Sequence, residues 1–345
     1  MGSFFWIPFP VPFPVAIPVA IPVPFPVPII GLQVMLFPVI LQKFIYLRKI
    51  PEQIMQTLQN DILTIQVSEH GAELQSIRKG DYEYLWQGDP AFWGRRSPVL
   101  FPIVGSVWEK QFRVDGKVYE MGQHGFARDM DFELVSASDA EVWYKLESTE
   151  DTLKAYPWPF VLEIGYKLAG DSLEVLWKVT NPGDKEMFFQ IGAHPAFNYP
   201  GYDPETVERG YVAFDKTEGI QRIGFKGKGC VDPESGCPLT LGEDGLLALK
   251  RDTFDPIDTI MLQGDQVHKV AFMKPDHSPY LTVTFDAPVV AIWSPPKRNA
   301  PFFCIEPWYG RCDRADFTGE YKDRDWVNAL APGATFAASY TIRMQ

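Results

Sequence analysis

From Leu58 onward, apolar and polar side chains alternate in short runs such as Ile62-Leu63-Thr64-Ile65-Gln66-Val67, Ser172-Leu173-Glu174-Val175-Leu176-Trp177-Lys178-Val179 and Tyr280-Leu281-Thr282-Val283-Thr284-Phe285. A period of two sends successive side chains to opposite faces, so each run predicts a half-buried β-strand. Turn formers stand between the runs, among them Asp115-Gly116, Asn181-Pro182-Gly183 and Ala331-Pro332-Gly333. No long window shows the spacing of an amphipathic helix, and no solenoid-length repeat recurs. The pattern predicts an all-β antiparallel sandwich rather than alternating strand and helix units. No change of composition divides residues 55–345, which are read as one domain, a length that β-sandwiches often reach.

Residues 1–54 follow another pattern. The first 42 carry no charge, and between Pro8 and Pro28 proline alternates with Phe, Val, Ile and Ala, which is low-complexity sequence. A spanning helix needs about 20 residues of continuous helix, and prolines at this density break helices. The first basic residue, Lys43, follows the apolar run, whereas a secretory signal begins with its basic region. The expectation is that this segment is upstream sequence from an over-early start, with Met55 the true start; the alternative is a polyproline-II tail.

Composition narrows the partners. Apolar residues make up 46% and aromatics 14% of the 345-residue chain, ample for a core. A formal charge of -12 argues against nucleic acid and against an anionic membrane surface, since both are held by clustered Lys and Arg. It suits a small neutral ligand. Cys230, Cys237, Cys304 and Cys312 lack the close pairing of a zinc motif and are too few for a disulfide framework, so they are read as reduced thiols of a cytoplasmic protein.

Candidate chemistry concentrates in three clusters. Two of the five histidines lie in His124-Gly125-Phe126-Ala127-Arg128 and Gly192-Ala193-His194-Pro195-Ala196-Phe197-Asn198. The third cluster, Cys304-Ile305-Glu306-Pro307-Trp308-Tyr309-Gly310, places a carboxylate after the apolar run Ala300-Pro301-Phe302-Phe303, where the chain is expected to leave a buried strand. A carboxylate there is costly unless it has a partner. Taken singly, each residue has a plain reading: a turn histidine, a paired buried acid, a core aromatic. Their joint occurrence carries the case.

In order along the chain, Tyr84-Leu85-Trp86-Gln87-Gly88, Arg96-Ser97-Pro98-Val99-Leu100-Phe101-Pro102, the His124 cluster, the His194 cluster, the stretch from Asp255 to Asp258 and the Glu306 cluster resemble the LacX-like branch of the aldose 1-epimerases, over roughly residues 58–344. The resemblance implies the galactose-mutarotase-like β-supersandwich, with Glu306 as general base and His194 as general acid. It implies sugar-hydroxyl contacts from Arg96 and His124 and a hydroxyl-gripping aspartate at Asp258, with Asp255 the alternative. Trp308 is expected to lie against the apolar face of the ring. Ser97 stands where a small residue such as Ala is expected, and Arg95 adds a second cation.

Interconverting α and β anomers of a hexose needs one base for the C1 hydroxyl and one acid for the ring oxygen, each returning what it took when the ring closes. No cofactor or metal is required. The expectation is an ionised Glu306 held low by nearby cations and a protonated His194 raised by a carboxylate. Two other readings compete: a non-catalytic sugar-binding or sugar-sensing module, and a glycoside hydrolase or lyase, although hydrolysis usually needs two catalytic carboxylates. Arg95, Arg96, Arg128, Arg311 and Arg314 leave a phosphorylated sugar open, their plain reading being solvated or salt-bridged surface.

Overall fold

The computed structural model describes residues 54–345; the Pro-rich segment and the reading of its start lie outside the described residues. The alternating runs form the strands Leu63–Ser68, Ser172–Thr180 and Pro279–Phe285, their ends shifted by one residue from the pattern. Asp115 and Gly116, both at positive φ, close the hairpin between Gln111–Val114 and Lys117–Glu120. Asn181 holds its turn by donating from Nδ2 to the carbonyls of Lys185 and Leu330. Among the described residues the one α-helix is Glu150–Ala155, started by a capping box between Thr149 and Thr152.

Two large antiparallel sheets carry the fold. The nine-stranded sheet runs in the order Leu247–Lys250, Glu208–Phe214, Lys269–Met273, Pro279–Phe285, Thr335–Met344, Ser172–Thr180, Val161–Ala169, Glu141–Glu147, Glu133–Ala137. The eight-stranded sheet runs Cys230–Pro238, Gln221–Gly227, Thr259–Gln263, Val289–Trp293, Phe302–Tyr309, Ile191–Ala193, Val99–Leu100, with Ala196–Asn198 paired to Phe302–Tyr309 off that path. This is the all-β antiparallel sandwich that the alternation predicts.

The two sheets share one core. Phe272 of the larger sheet stacks on Phe303 of the smaller with ring centroids 4.2 Å apart. Ile164, Val175 and Trp177 from one side meet Ile260, Leu262, Val290, Ile292, Phe303 and Ile305 from the other. Burying a side chain of this size stabilises the fold by about 1.5–3 kcal/mol. Because the pleat alternates, the neighbours of those residues on the smaller sheet, Thr259, Met261, Val289, Ala291, Trp293, Cys304, Glu306 and Trp308, project from the opposite face. That face carries the candidate site.

Candidate active site

Strand register lays out the floor of a cavity of about 350 Å3, within the range of small-molecule sites, about 300–1,000 Å3. Met261 pairs with Ala291 and Ala291 with Glu306, while Thr259 pairs with Trp293 and Trp293 with Cys304. Thr259, Met261, Trp293, Glu306 and Trp308 all line the cavity. Small Ala291 leaves room between Met261 and the carboxylate. The sequence expectation that the chain leaves its strand at Glu306 is corrected here: the strand continues to Tyr309. Glu306 sits mid-strand because the polar face of that strand is the cavity wall.

His194 lies in the short connection between Ile191–Ala193 and Ala196–Asn198, held over the floor by aromatic neighbours. Trp93 stacks on its ring at 4.7 Å and Trp293 meets it edge-on at 5.5 Å. Its Nε2 stands 3.3 Å from Oε2 of Glu306. The two residues, far apart in sequence, meet on one cavity wall with only 7% and 1% of their surfaces exposed. Glu306 Oε2 and His194 Nδ1 are buried and have no hydrogen-bond partner in the chain.

Electrostatics reverse the expected protonation. Burial, reinforced by the negative charge of Asp258, pushes the Glu306 carboxyl well above the usual carboxylate range. Burial, reinforced by Arg128 and Arg95, pulls His194 down to about 3. The cations expected to hold the Glu low lie where they act on the histidine instead, and the nearby aspartate acts on Glu306. The pair is therefore a neutral carboxylic acid beside a neutral imidazole. That state and the expected carboxylate–imidazolium state hold the same single proton and differ only in its position.

His124 faces the same space with its backbone at φ 65°, fixed by two bonds to Gly105. The His124 N–H donates to the Gly105 carbonyl, and the Gly105 N–H donates to His124 Nδ1. Burial and the neighbouring His194 keep His124 neutral. With Nδ1 accepting, its proton sits on Nε2, which makes it a donor. Gly125 is required at the next position, because a Cβ there would lie 2.2 Å from the Phe101 carbonyl oxygen. The Trp308 indole crosses Gly192, where a Cβ would approach Cδ1 to 2.6 Å, and donates from Nε1 to the Ala193 carbonyl.

Five of the six sequence-predicted site residues line this one cavity: Glu306, His194, His124, Asp258 and Trp308. Asp258, not Asp255, faces it; Asp255 accepts the backbone N–H of Lys297. Arg96 is the exception and a correction. Its guanidinium donates to the Gln75 carbonyl at 2.7 Å and its stem runs against Gly88, while Glu73 accepts its backbone N–H. The cation on the cavity wall is Arg95, with Arg128 beside it. Arg311 and Arg314 both bond Asp325.

Replacing Arg95 by Ala is therefore expected to raise KM for the ligand with little change in melting temperature. Arg96→Ala should do the converse, lowering stability by about 1.5–3 kcal/mol through loss of a charged hydrogen bond while KM holds. Thermal denaturation and steady-state kinetics of the two variants separate the roles; equal KM effects would undo the distinction.

Several lining residues carry little signal in the sequence. Trp93 and Trp293, which clamp His194, had no signal beyond aromatic clusters that also serve as core. Arg128 belongs to the His124 cluster, and its Nε is buried without a hydrogen bond, 3.8 Å from Asp129 Oδ2. Burial and the like charge of Arg95 lower the Arg128 guanidinium to about 10.

A family model described as "Aldose 1-epimerase" matches residues 55–320. The plasmid-borne protein LacX of Lactococcus lactis subsp. lactis is 31% identical over 299 residues, covering 83% of this chain and 97% of the relative; its chromosomal counterpart is 32% identical over 295 residues, with the same coverage. Among solved structures, a galactose mutarotase related enzyme from Lactobacillus acidophilus superposes with a TM-score of 0.79 at 34% identity, covering 85% of this chain and 97% of that one. A galactose mutarotase-like protein from Lactobacillus casei gives a TM-score of 0.79 at 31% identity, covering 85% and 100%. No helix of the described residues is long and apolar enough to cross a membrane. With its galactose-mutarotase-like sandwich and its LacX relatives, this chain belongs to the aldose 1-epimerase family.

Proposed function

We propose that the protein is a mutarotase of carbohydrate metabolism, interconverting the α and β anomers of a hexose, with Glu306 as base and His194 as acid. The observation that carries this reading is the meeting of Glu306 and His194 at 3.3 Å on the wall of a sugar-sized cavity. A C1 hydroxyl donating to the Glu306 carboxyl group favours its charged form, so the proton that the pair holds passes to His194. Glu306 then takes the C1 hydroxyl proton as His194 gives one to the ring oxygen, and the C1–O5 bond breaks. The open aldehyde rotates about C1–C2, and closure on the other face returns both protons.

The remaining residues hold the sugar. Arg95, His124 and Asp258 would bond its hydroxyls, and the Trp308 indole would cover its apolar face. Arg95 and Arg128 make one part of the wall positive, so the substrate class extends to a hexose bearing a phosphate. Polarimetry across free hexoses and their 6-phosphates tests both points. At least one sugar is expected to equilibrate faster than in buffer, with a lower KM for the phosphorylated form. A panel of uncatalysed rates would leave the sugar-binding module as the reading.

A second reading has its own observation. Asp258 lines the same cavity as Glu306 and adds to the rise of its carboxyl, and two carboxyl groups facing one cavity are what glycoside hydrolysis usually employs. A chromogenic glycoside added to the panel tests it: release of the chromophore would favour hydrolysis over anomerisation.

A further inference from the structure

Cys304 and Glu306 project from one face of the strand Phe302–Tyr309, and His194 joins them from the adjoining connection. One donor atom from each, the thiol sulfur, a carboxylate oxygen and an imidazole nitrogen, lies within 4.8 Å of the other two, and all three residues are buried. Glu306 Oε2, the oxygen nearest His194 Nε2, has no hydrogen-bond partner. Sequence spacing could not reveal this group, because Cys304 has no cysteine or histidine near it along the chain. The pairing across the strands and the pleat bring the three together.

The donor set selects the ion. A thiolate, an imidazole and a carboxylate suit zinc and the softer cadmium, whereas magnesium and calcium take oxygen ligands. At zinc–ligand lengths of about 2.0–2.3 Å, ligand atoms of a tetrahedral site stand roughly 3.3–3.7 Å apart. The 3.3 Å between His194 and Glu306 already matches, and a shift of about 1 Å would bring in the thiol. His194 and Glu306 line the cavity, so a fourth position on the ion would open toward it.

We propose that His194, Cys304 and Glu306 form a binding site for zinc or cadmium, and that the bound ion stops anomerisation by taking the base and the acid as ligands. The inhibitory half rests on the proposed function; the binding half does not. Binding displaces the thiol proton and the one proton that the Glu306–His194 pair holds, and both pass to solvent.

The test titrates the full chain with cadmium, following the ultraviolet thiolate-to-metal charge-transfer band, and measures anomerisation rates in parallel with zinc and cadmium. One cadmium per chain is expected, its band saturating together with the loss of rate. Cys304→Ala is expected to abolish the band and to weaken inhibition about tenfold or more, with a metal-free rate near that of the unsubstituted protein. Cys304→Ser, checked for folding by near-ultraviolet circular dichroism, guards against an effect of the cavity that alanine leaves. The proposal is overturned by absence of the band, by a band that survives in both variants, or by cadmium that binds through Cys304 without slowing the reaction. A chain inactive on every sugar would defeat the functional reading and the inhibitory half with it, while the absorption arm still decides the site.

Discussion

Glu306→Gln is expected to lower kcat by about a hundred- to ten-thousandfold and, at neutral pH, to raise the melting temperature. Both effects follow from one feature, a carboxyl buried to 1% exposure with an oxygen that nothing in the chain bonds. Gln keeps the shape, so the sugar still binds, but it cannot take the proton. The stability effect has a definite sign. Unfolded, Glu306 ionises at the ordinary carboxylate value; folded, burial and Asp258 hold it above that value. The folded state thus binds the extra proton, and the protein loses stability as pH rises through this window. Gln removes that loss, so the gain should be present at pH 7 and fade below the ordinary carboxylate value. Polarimetry and denaturation at two pH values check it; a variant as fast as the unsubstituted protein would end the assignment of the base.

His194→Ala should reduce kcat by a comparable factor, about a hundredfold or more. A variant that lost only affinity would make His194 a binding residue. The pH profile of the unsubstituted protein gives the supporting measurement. The active pair holds one proton, and adding a second requires charging a histidine lowered to about 3 by burial and by Arg128 and Arg95. The acid limb of kcat/KM should therefore fall well below pH 6.5, the ordinary imidazole value. The limb reports the pair rather than either residue alone. An acid limb centred near 6.5 or above would contradict the single-proton pair.

Much of the fold was legible because alternation is a local signal. Ser172–Thr180 reads as a strand from its own residues, and Asp115-Gly116 reads as a turn because its backbone needs positive φ. The pairing of Thr259–Gln263 with Val289–Trp293 was not legible, since partners in a sheet are chosen by the whole chain. The site divides the same way. Glu306, His194 and His124 stood out as polar residues in apolar or turn contexts, and the structure gathers them. The choice between Arg95 and Arg96 was not legible, because the pleat and the carbonyl of Gln75 decide which of two adjacent guanidiniums reaches the cavity. The protonation of the pair was not legible, because residue types say nothing about which charge ends up beside which group. Here Asp258 came near the acid, and the arginines came near the imidazole.

The strand Phe302–Tyr309 serves two masters at once: odd-numbered Phe303 and Ile305 cement the sheets, and even-numbered Glu306 and Trp308 furnish the cavity. Insert or delete a single residue upstream within it and the parity flips, driving a carboxyl into hydrocarbon and leaving the cavity greasy. This stretch can therefore change by substitution but not in length. The cohesion of the protein and its chemistry are bound to one reading frame of the pleat, so neither can drift along the strand without the other.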